Sequence, residues 1–201
     1  VPLIILVLAA TACDDGIVDV SDVGITPNMN PDAGSSYTNA NSDIWIDYQA
    51  LPRPFANRMK DAIAYFDADG DGDTDIFQGG GVPLVDAEED SELYLNDGTG
   101  SFLFDVSGFG GSVPQVTHPR KAIVADFNGD GLPDVFVFDH GLDTEPFPGS
   151  VPKLILQESP GVFSWSRLSV EPGFYHGGAA ADIDNDGDID VFVGNYDRDS
   201  T

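Results

Sequence analysis

Short apolar runs are separated along this chain by acidic, glycine-rich stretches, and the pattern predicts strands rather than helices. Ala62-Ile63-Ala64-Tyr65-Phe66, Ala122-Ile123-Val124-Ala125 and Gly177-Gly178-Ala179-Ala180-Ala181 each precede such a stretch. Ile76-Phe77, Val135-Phe136-Val137-Phe138 and Val191-Phe192-Val193 follow it. The runs are short, bounded by turn residues and lack helical spacing, so each acidic stretch joins two strands. Leu93-Tyr94-Leu95-Asn96 followed by Gly100-Ser101-Phe102 returns 61 residues later as Leu154-Ile155-Leu156-Gln157 followed by Gly161-Val162-Phe163. These are the third and fourth strands of a unit, with Asn96-Asp97-Gly98-Thr99-Gly100 as the hairpin turn between them.

The acidic stretches are themselves repeats, starting at Asp67, Asp126 and Asp182 and therefore 59 and 56 residues apart. Oxygen-bearing side chains stand at positions one, three, five and nine: Asp67, Asp69, Asp71 and Asp75; Asp126, Asn128, Asp130 and Asp134; Asp182, Asp184, Asp186 and Asp190. Alternate spacing on a curved loop aims hard oxygens at one point, which suits calcium, an ion that takes about 6–8 oxygen ligands. The seventh position is Asp73, Leu132 or Asp188, and because leucine has no donor the ligand expected there is a backbone carbonyl. Positions four (Gly70, Gly129, Asn185) and six (Gly72, Gly131, Gly187) tolerate positive φ, so the loop is expected to turn sharply twice. Ala68, Phe127 and Ile183 at position two are expected to point away from the ion into packing. Asn128 leaves the middle loop one carboxylate short, which predicts weaker calcium binding there.

Ordinary Asp-Gly surface turns are the bland alternative, and three aligned copies weigh against them. An EF-hand would close with glutamate at position twelve between two helices, but that position holds Gln78, Val137 or Val193 and the flanks alternate like strands. Four antiparallel strands per repeat, with the acidic loop between the first two, describe a propeller blade. From Arg58 to Tyr196 the chain resembles the FG-GAP and VCBS repeat proteins, whose blades carry an Asp-x-Asp/Asn-x-Asp-Gly-x-x-Asp loop, as in the head of integrin α subunits. The resemblance implies an all-β propeller scaffold with about one calcium ion per repeat, and it implies no particular ligand. The connection after the first loop is two residues shorter than after the second, a difference expected to fall on a blade-edge loop.

Residues 42–201 hold about two and a half blades, whereas a ring needs about 4–8. The chain begins at Val1 without a methionine or basic region and stops at Thr201 before the third unit supplies its last strands, which predicts a piece of a longer protein. Residues 1–12, VPLIILVLAATA, are apolar, too short to span a bilayer of about 30 Å, and end in small residues before Cys13. They resemble a bacterial lipoprotein signal with Cys13 as the lipidated residue, although Ala10 replaces the usual leucine. Ordinary signal cleavage nearby, or a buried strand or helix ending in an inert cysteine, are the alternatives. Residues 13–41, rich in Asp, Ser, Asn, Pro and Gly, suit an extended tether. Asp43-Ile44-Trp45-Ile46-Asp47-Tyr48 alternates like one more strand.

A net charge of −27, from 35 acids against 8 bases, argues against nucleic acid and against electrostatic attachment to anionic lipid, and leaves a lipid anchor as the membrane contact. Acids outside the loops, such as Asp86, Glu88, Glu89 and Asp90, read as a solvated face. No nucleophile elbow, HExxH or phosphate-cradling loop is present, and His118, His140 and His176 share no repeat position. His140 beside Asp139, Asp143 and Glu145 is either a second metal or acid-base cluster or, more simply, an exposed loop. Trp45, Trp165, Tyr175 and Tyr196 are candidates for stacking on sugars, though most aromatics of such blades are core. The leading function is therefore a noncatalytic, calcium-stabilised exported or surface-anchored module that binds protein or glycan. Alternatives are a polysaccharide lyase or hydrolase with its site on the propeller or in a further domain, and a structural spacer.

Overall fold

Strand pairing in the computed structural model follows the repeats. The structure describes residues 5–10, 62–80 and 88–196, so Cys13, Trp45, Asp86, the tether and the strand expected at Ile44 to Tyr48 lie outside the described residues. The first blade contains β2 (Ile63–Phe66), β3 (Asp75–Gln78), β5 (Glu92–Asn96) and β6 (Phe102–Phe104), hydrogen-bonded in that order. The second contains β8 (Pro119–Ala125), β9 (Asp134–Asp139), β10 (Lys153–Ser159) and β11 (Val162–Arg167), again neighbour to neighbour. A third sheet holds β12 (Phe174–Ala181) and β13 (Asp190–Tyr196), paired antiparallel like the first two strands of the other units. The fold is all-β, and the described sheets do not close into a ring. Two elements carry no repeat signal: a two-stranded ribbon of β4 (Glu89–Asp90) with β7 (Gln115–Val116), and a single 3-10 turn at Ser107–Phe109.

The outer edge of the third sheet is occupied by β1 (Ile5–Ala10), which runs parallel to β13 with Ile5 opposite Val191 and Ala10 opposite Tyr196. An open edge presents unpaired backbone groups, and an apolar run of strand-forming residues satisfies them.

Among the described residues the two larger cores form between blades, while Ile76 and Tyr94 pack with Ile63, Phe102 and Phe104 on a face of the first blade alone. In β9 every residue is buried, and its alternate side chains serve opposite neighbours. Val135 and Val137 join Ala64, Phe66, Phe77 and Leu93 of the first blade, whereas Phe136 and Phe138 join Tyr175, Val191 and Val193 of the third sheet. Each such buried side chain contributes about 1.5–3 kcal/mol, and the period-two alternation makes one strand hold two interfaces. At position two of the acidic loops, Ala68 and Phe127 enter these interfaces as expected. Ile183 does not. It is 54% exposed, because no described blade packs on the far side of the third sheet.

The two-residue difference between the units also falls elsewhere than expected. It lengthens a strand, β9 having six residues against four in β3, so that Phe138 and Asp139 continue to pair opposite Lys121 and Pro119 of β8. The extension carries a charge into the interior. Asp139 is fully buried and accepts hydrogen bonds from Lys153 Nζ (2.5 Å), Ser150 Oγ (2.8 Å) and the backbone N–H groups of Thr117 (3.0 Å) and His118 (2.8 Å). Burial alone would raise its pKa, but the Lys153 charge and these donors outweigh it and hold the carboxyl below its ordinary value.

Because Lys153 is also fully buried, Lys153→Met is expected to strand the Asp139 charge and cost about 3–5 kcal/mol in urea unfolding at neutral pH, with Asp139→Asn/Lys153→Met recovering part of it. A lowered folded-state pKa means that the pair's contribution is complete above the ordinary carboxylate value and is lost as pH falls through the lower one, so the cost of Lys153→Met should shrink in acid.

Candidate functional site

The three acidic loops occupy one position in three units, between β2 and β3, β8 and β9, and β12 and β13. Positions four and six lie in the left-handed region in every copy, with φ of 82° and 95° at Gly70 and Gly72, 76° and 88° at Gly129 and Gly131, and 62° and 97° at Asn185 and Gly187. The chain therefore turns twice, as the residue types require.

Three hydrogen bonds recur in each loop. The first carboxylate accepts the N–H of the position-six glycine: Asp67 from Gly72 (3.0 Å), Asp126 from Gly131 (2.8 Å) and Asp182 from Gly187 (3.1 Å). The fifth accepts the N–H of position seven: Asp71 from Asp73 (2.9 Å), Asp130 from Leu132 (2.8 Å) and Asp186 from Asp188 (3.0 Å). The ninth reaches back to position two: Asp75 to Ala68 (2.7 Å), Asp134 to Phe127 (2.9 Å) and Asp190 to Ile183 (3.0 Å). In the two four-stranded blades the other oxygen of that aspartate accepts the N–H of the third strand, from Asn96 (2.7 Å) and from Gln157 (2.9 Å). Asp75, Asp134 and Asp190 are accordingly buried, while the remaining acids stay at the surface or partly buried.

The donor set fits a hard cation. Carboxylate oxygens of Asp67, Asp69 and Asp71, and of Asp182, Asp184 and Asp190, lie within 4.8 Å of one another. Oxygens on opposite sides of a calcium ion are about 4.6–5.2 Å apart, given bonds of about 2.3–2.6 Å. The middle loop has no such trio of acids, because Asn128 stands at position three and its amide donates to Asp130 (2.9 Å). Crowding has an electrostatic signature: desolvation, then neighbouring carboxylates, raise the pKa values of Asp69 and Asp75 in the first loop, Asp134 in the second and Asp184 in the third. A cation between these groups removes that penalty.

The first loop also touches the next blade. The carbonyl of Ala68 accepts hydrogen bonds from Gln157 Nε2 (2.8 Å) and from the N–H of Gly161 (2.8 Å), and Gly70 lies so close to Pro160 that a Cβ there would come within 2.8 Å of it.

A second assembly was not legible from repeat positions. The three histidines converge, with ring centroids 5.6 Å apart for His118 and His140 and 4.5 Å apart for His140 and His176. His140 is buried, which overturns its simpler reading as part of an exposed loop. Asp143 lies between two of the rings, 3.1 Å from His118 Nδ1 and 3.3 Å from His140 Nδ1, and accepts from Arg120 at 2.9 Å. His140, Asp143 and Arg120 border a cavity of about 430 Å³ shared with His176, Phe174 and Tyr196, and His118 lies buried behind them. Burial lowers the pKa values of His140 and His176, favouring neutral imidazoles. Asp139 faces Lys153 and takes no part in this cavity.

Of the aromatic candidates, Tyr175 is buried with its hydroxyl donating to the Glu171 carbonyl (2.6 Å), and Trp165 packs on the core while donating to the Ser112 carbonyl (2.7 Å). Tyr196 is 41% exposed at the cavity. The acids near Glu88 are not simply solvated: Glu88 forms a two-point ion pair with Arg167, and Asp90 accepts from Gln115 (2.9 Å).

Position nine should differ from position five even without metal. Asp134→Ala leaves two buried N–H groups unsatisfied and is expected to cost about 2–4 kcal/mol, whereas Asp130→Ala, at an exposed acceptor, should cost under about 1 kcal/mol, both read by urea unfolding in chelator.

Residues 67–137 match the family model of the FG-GAP-like repeat, a span that runs from the first acidic loop into β9 of the second blade and stops short of Asp139. No curated protein matches the chain. Residues 67–137 thus carry an FG-GAP-like repeat, set in blades of four antiparallel strands that place the same loop at the same point of each unit.

Proposed function

We propose that the chain is a calcium-stabilised, noncatalytic binding module: propeller blades whose three acidic loops each hold one calcium ion, displayed outside the cell to recognise a protein or glycan. The observation that carries the calcium reading is the set of three hydrogen bonds common to the three loops, which fixes the backbone and leaves each carboxylate with oxygen lone pairs to share. Asp67, Asp69, Asp71, Asp73 and Asp75 would hold the first ion, Asp182, Asp184, Asp186, Asp188 and Asp190 the third. The middle ion would rest on Asp126, Asn128, Asp130, Asp134 and the Leu132 carbonyl. When bound, the ion neutralises clustered carboxylates; the residues themselves brace the turns and tie loop to sheet. Lipidation at Cys13 after removal of the apolar leader would anchor the module to a bacterial envelope and free the β13 edge that β1 pairs with, and the acidic surface favours a ligand that is not a polyanion. Exposed Tyr196 beside Arg120 and His176 offers the stacking and polar groups that glycan recognition uses.

Calcium is expected to raise Tm by several degrees over chelator and magnesium to do so much less, read by scanning calorimetry; an unchanged melting curve sinks the reading. Calorimetric titration should show the middle site as the weakest, and Asp126→Ala should remove one ion per chain. The rise should shrink as pH falls. Groups with raised folded-state pKa values favour the metal-free fold below their unfolded values and penalise it as pH climbs through the folded ones, so calcium has most to relieve near neutrality.

A further inference from the structure

We propose that His118, His140 and Asp143 form a binding site for a transition-metal ion of the zinc class, separate from the acidic loops in position and in donor chemistry. One atom from each of these residues lies within 4.8 Å of the others, and the set is two imidazoles and a carboxylate. That combination suits zinc, whereas calcium takes oxygens. The Asp143 oxygens stand 3.1 Å from His118 Nδ1 and 3.3 Å from His140 Nδ1. Ligands around a tetrahedral ion with bonds of about 2.0–2.2 Å are themselves about 3.3–3.6 Å apart, so the three groups need move little to accept one.

The site is held by its surroundings. His140 N–H donates to the His118 carbonyl (3.0 Å), which fixes the two residues against each other. The buried Asp139, paired with Lys153, accepts the N–H groups of Thr117 and His118 and locks the same stretch of backbone. Arg120 holds one oxygen of Asp143 at 2.9 Å, the kind of outer contact that orients a ligating carboxylate. Both histidines are buried, and Asp143, with a side chain 37% exposed, closes the site toward solvent.

Three protein ligands leave a fourth position, and here it faces the 430 Å³ cavity. His176 is near enough, at 4.5 Å between ring centroids from His140, to fill that position or to flank whatever does. With Arg120 adding a second positive charge on the cavity wall, an outside ligand completing the shell is of the anionic-oxygen class, such as a carboxylate. The site does not rest on the calcium reading: no residue is shared with the acidic loops, and its donors come from the residue before β8 and from the connection that follows β9.

The test uses the full chain, stripped of transition metals and kept in excess calcium. Cobalt(II) should bind one ion per chain and give the visible absorption of four- or five-coordinate cobalt with nitrogen ligands, bleached by one equivalent of zinc. Asp143→Asn and His140→Gln should each weaken zinc at least about tenfold in calorimetric titration. Asp143 is partly exposed, so Asp143→Asn should leave the calcium-loaded melting curve in place even where His140→Gln perturbs it. Asp67→Asn and Asp182→Asn, in the acidic loops, should leave zinc affinity unchanged. Absence of the cobalt bands, zinc lost to excess calcium, or unchanged affinity in Asp143→Asn overturns the proposal; a calcium-dependent Tm beside any of these leaves the loop reading standing.

Discussion

The buried aspartate that opens the second strand of each unit is the contact on which the rest of the fold depends. Asp75 and Asp134 each divide two oxygens between the loop that precedes them and the third strand beside them, through Ala68 and Asn96 in one blade and Phe127 and Gln157 in the next. A carboxylate accepting two backbone N–H groups in the interior is costly to replace, because the donors would be left without partners where water cannot reach them. It also fixes the loop's exit at the place where the strand begins. Everything the loop does, from its two sharp turns to the convergence of its surface acids, starts from that fixed end.

The same tie makes blades depend on one another. Ala68 takes part in it through its N–H, and its methyl group packs into the interface between the first and second blades while its carbonyl accepts from Gln157 and Gly161 of the second. Gln157 in turn donates its own N–H to Asp134, the equivalent aspartate of its blade. A chain of hydrogen bonds thus runs from one ninth-position carboxylate, across the interface, to the next. Ordering of one loop is coupled to packing of its neighbour, so local loop chemistry is read out as stability of the array.

What could be read from the sequence was whatever the repeat enforces. The strand pairs around each loop, the hairpin at Asn96 to Gly100, the double turn at Gly129 and Gly131 and the inward-facing Ala68 and Phe127 all follow from residue types that recur at fixed offsets. Ile183 shows where that logic stops: the residue type matches, but burial needs a packed neighbour, and position in the repeat supplies none. The ribbon of β4 with β7 escaped notice because two-residue strands carry no period. Glu88 looked like one more solvated acid because its partner, Arg167, lies 79 residues away with no spacing rule to join them.

The histidine cavity lies beyond the repeat for a related reason, and there a signal did exist. The second unit exceeds the first by two residues just after its loop, and the surplus lengthens β9. That extension places Asp139 against Lys153 and sets His140 beside His118. Equivalent positions preserve the scaffold, since any change there disturbs an interface or a loop. Residues without an equivalent are free of that constraint, and a charge or an imbalance of length among them needs its own physical reason. In this chain the scaffold is written in what the units share, and the chemistry that sets one unit apart is written in the insertion, where a buried ion pair braces His118 behind His140 at the wall of a cavity.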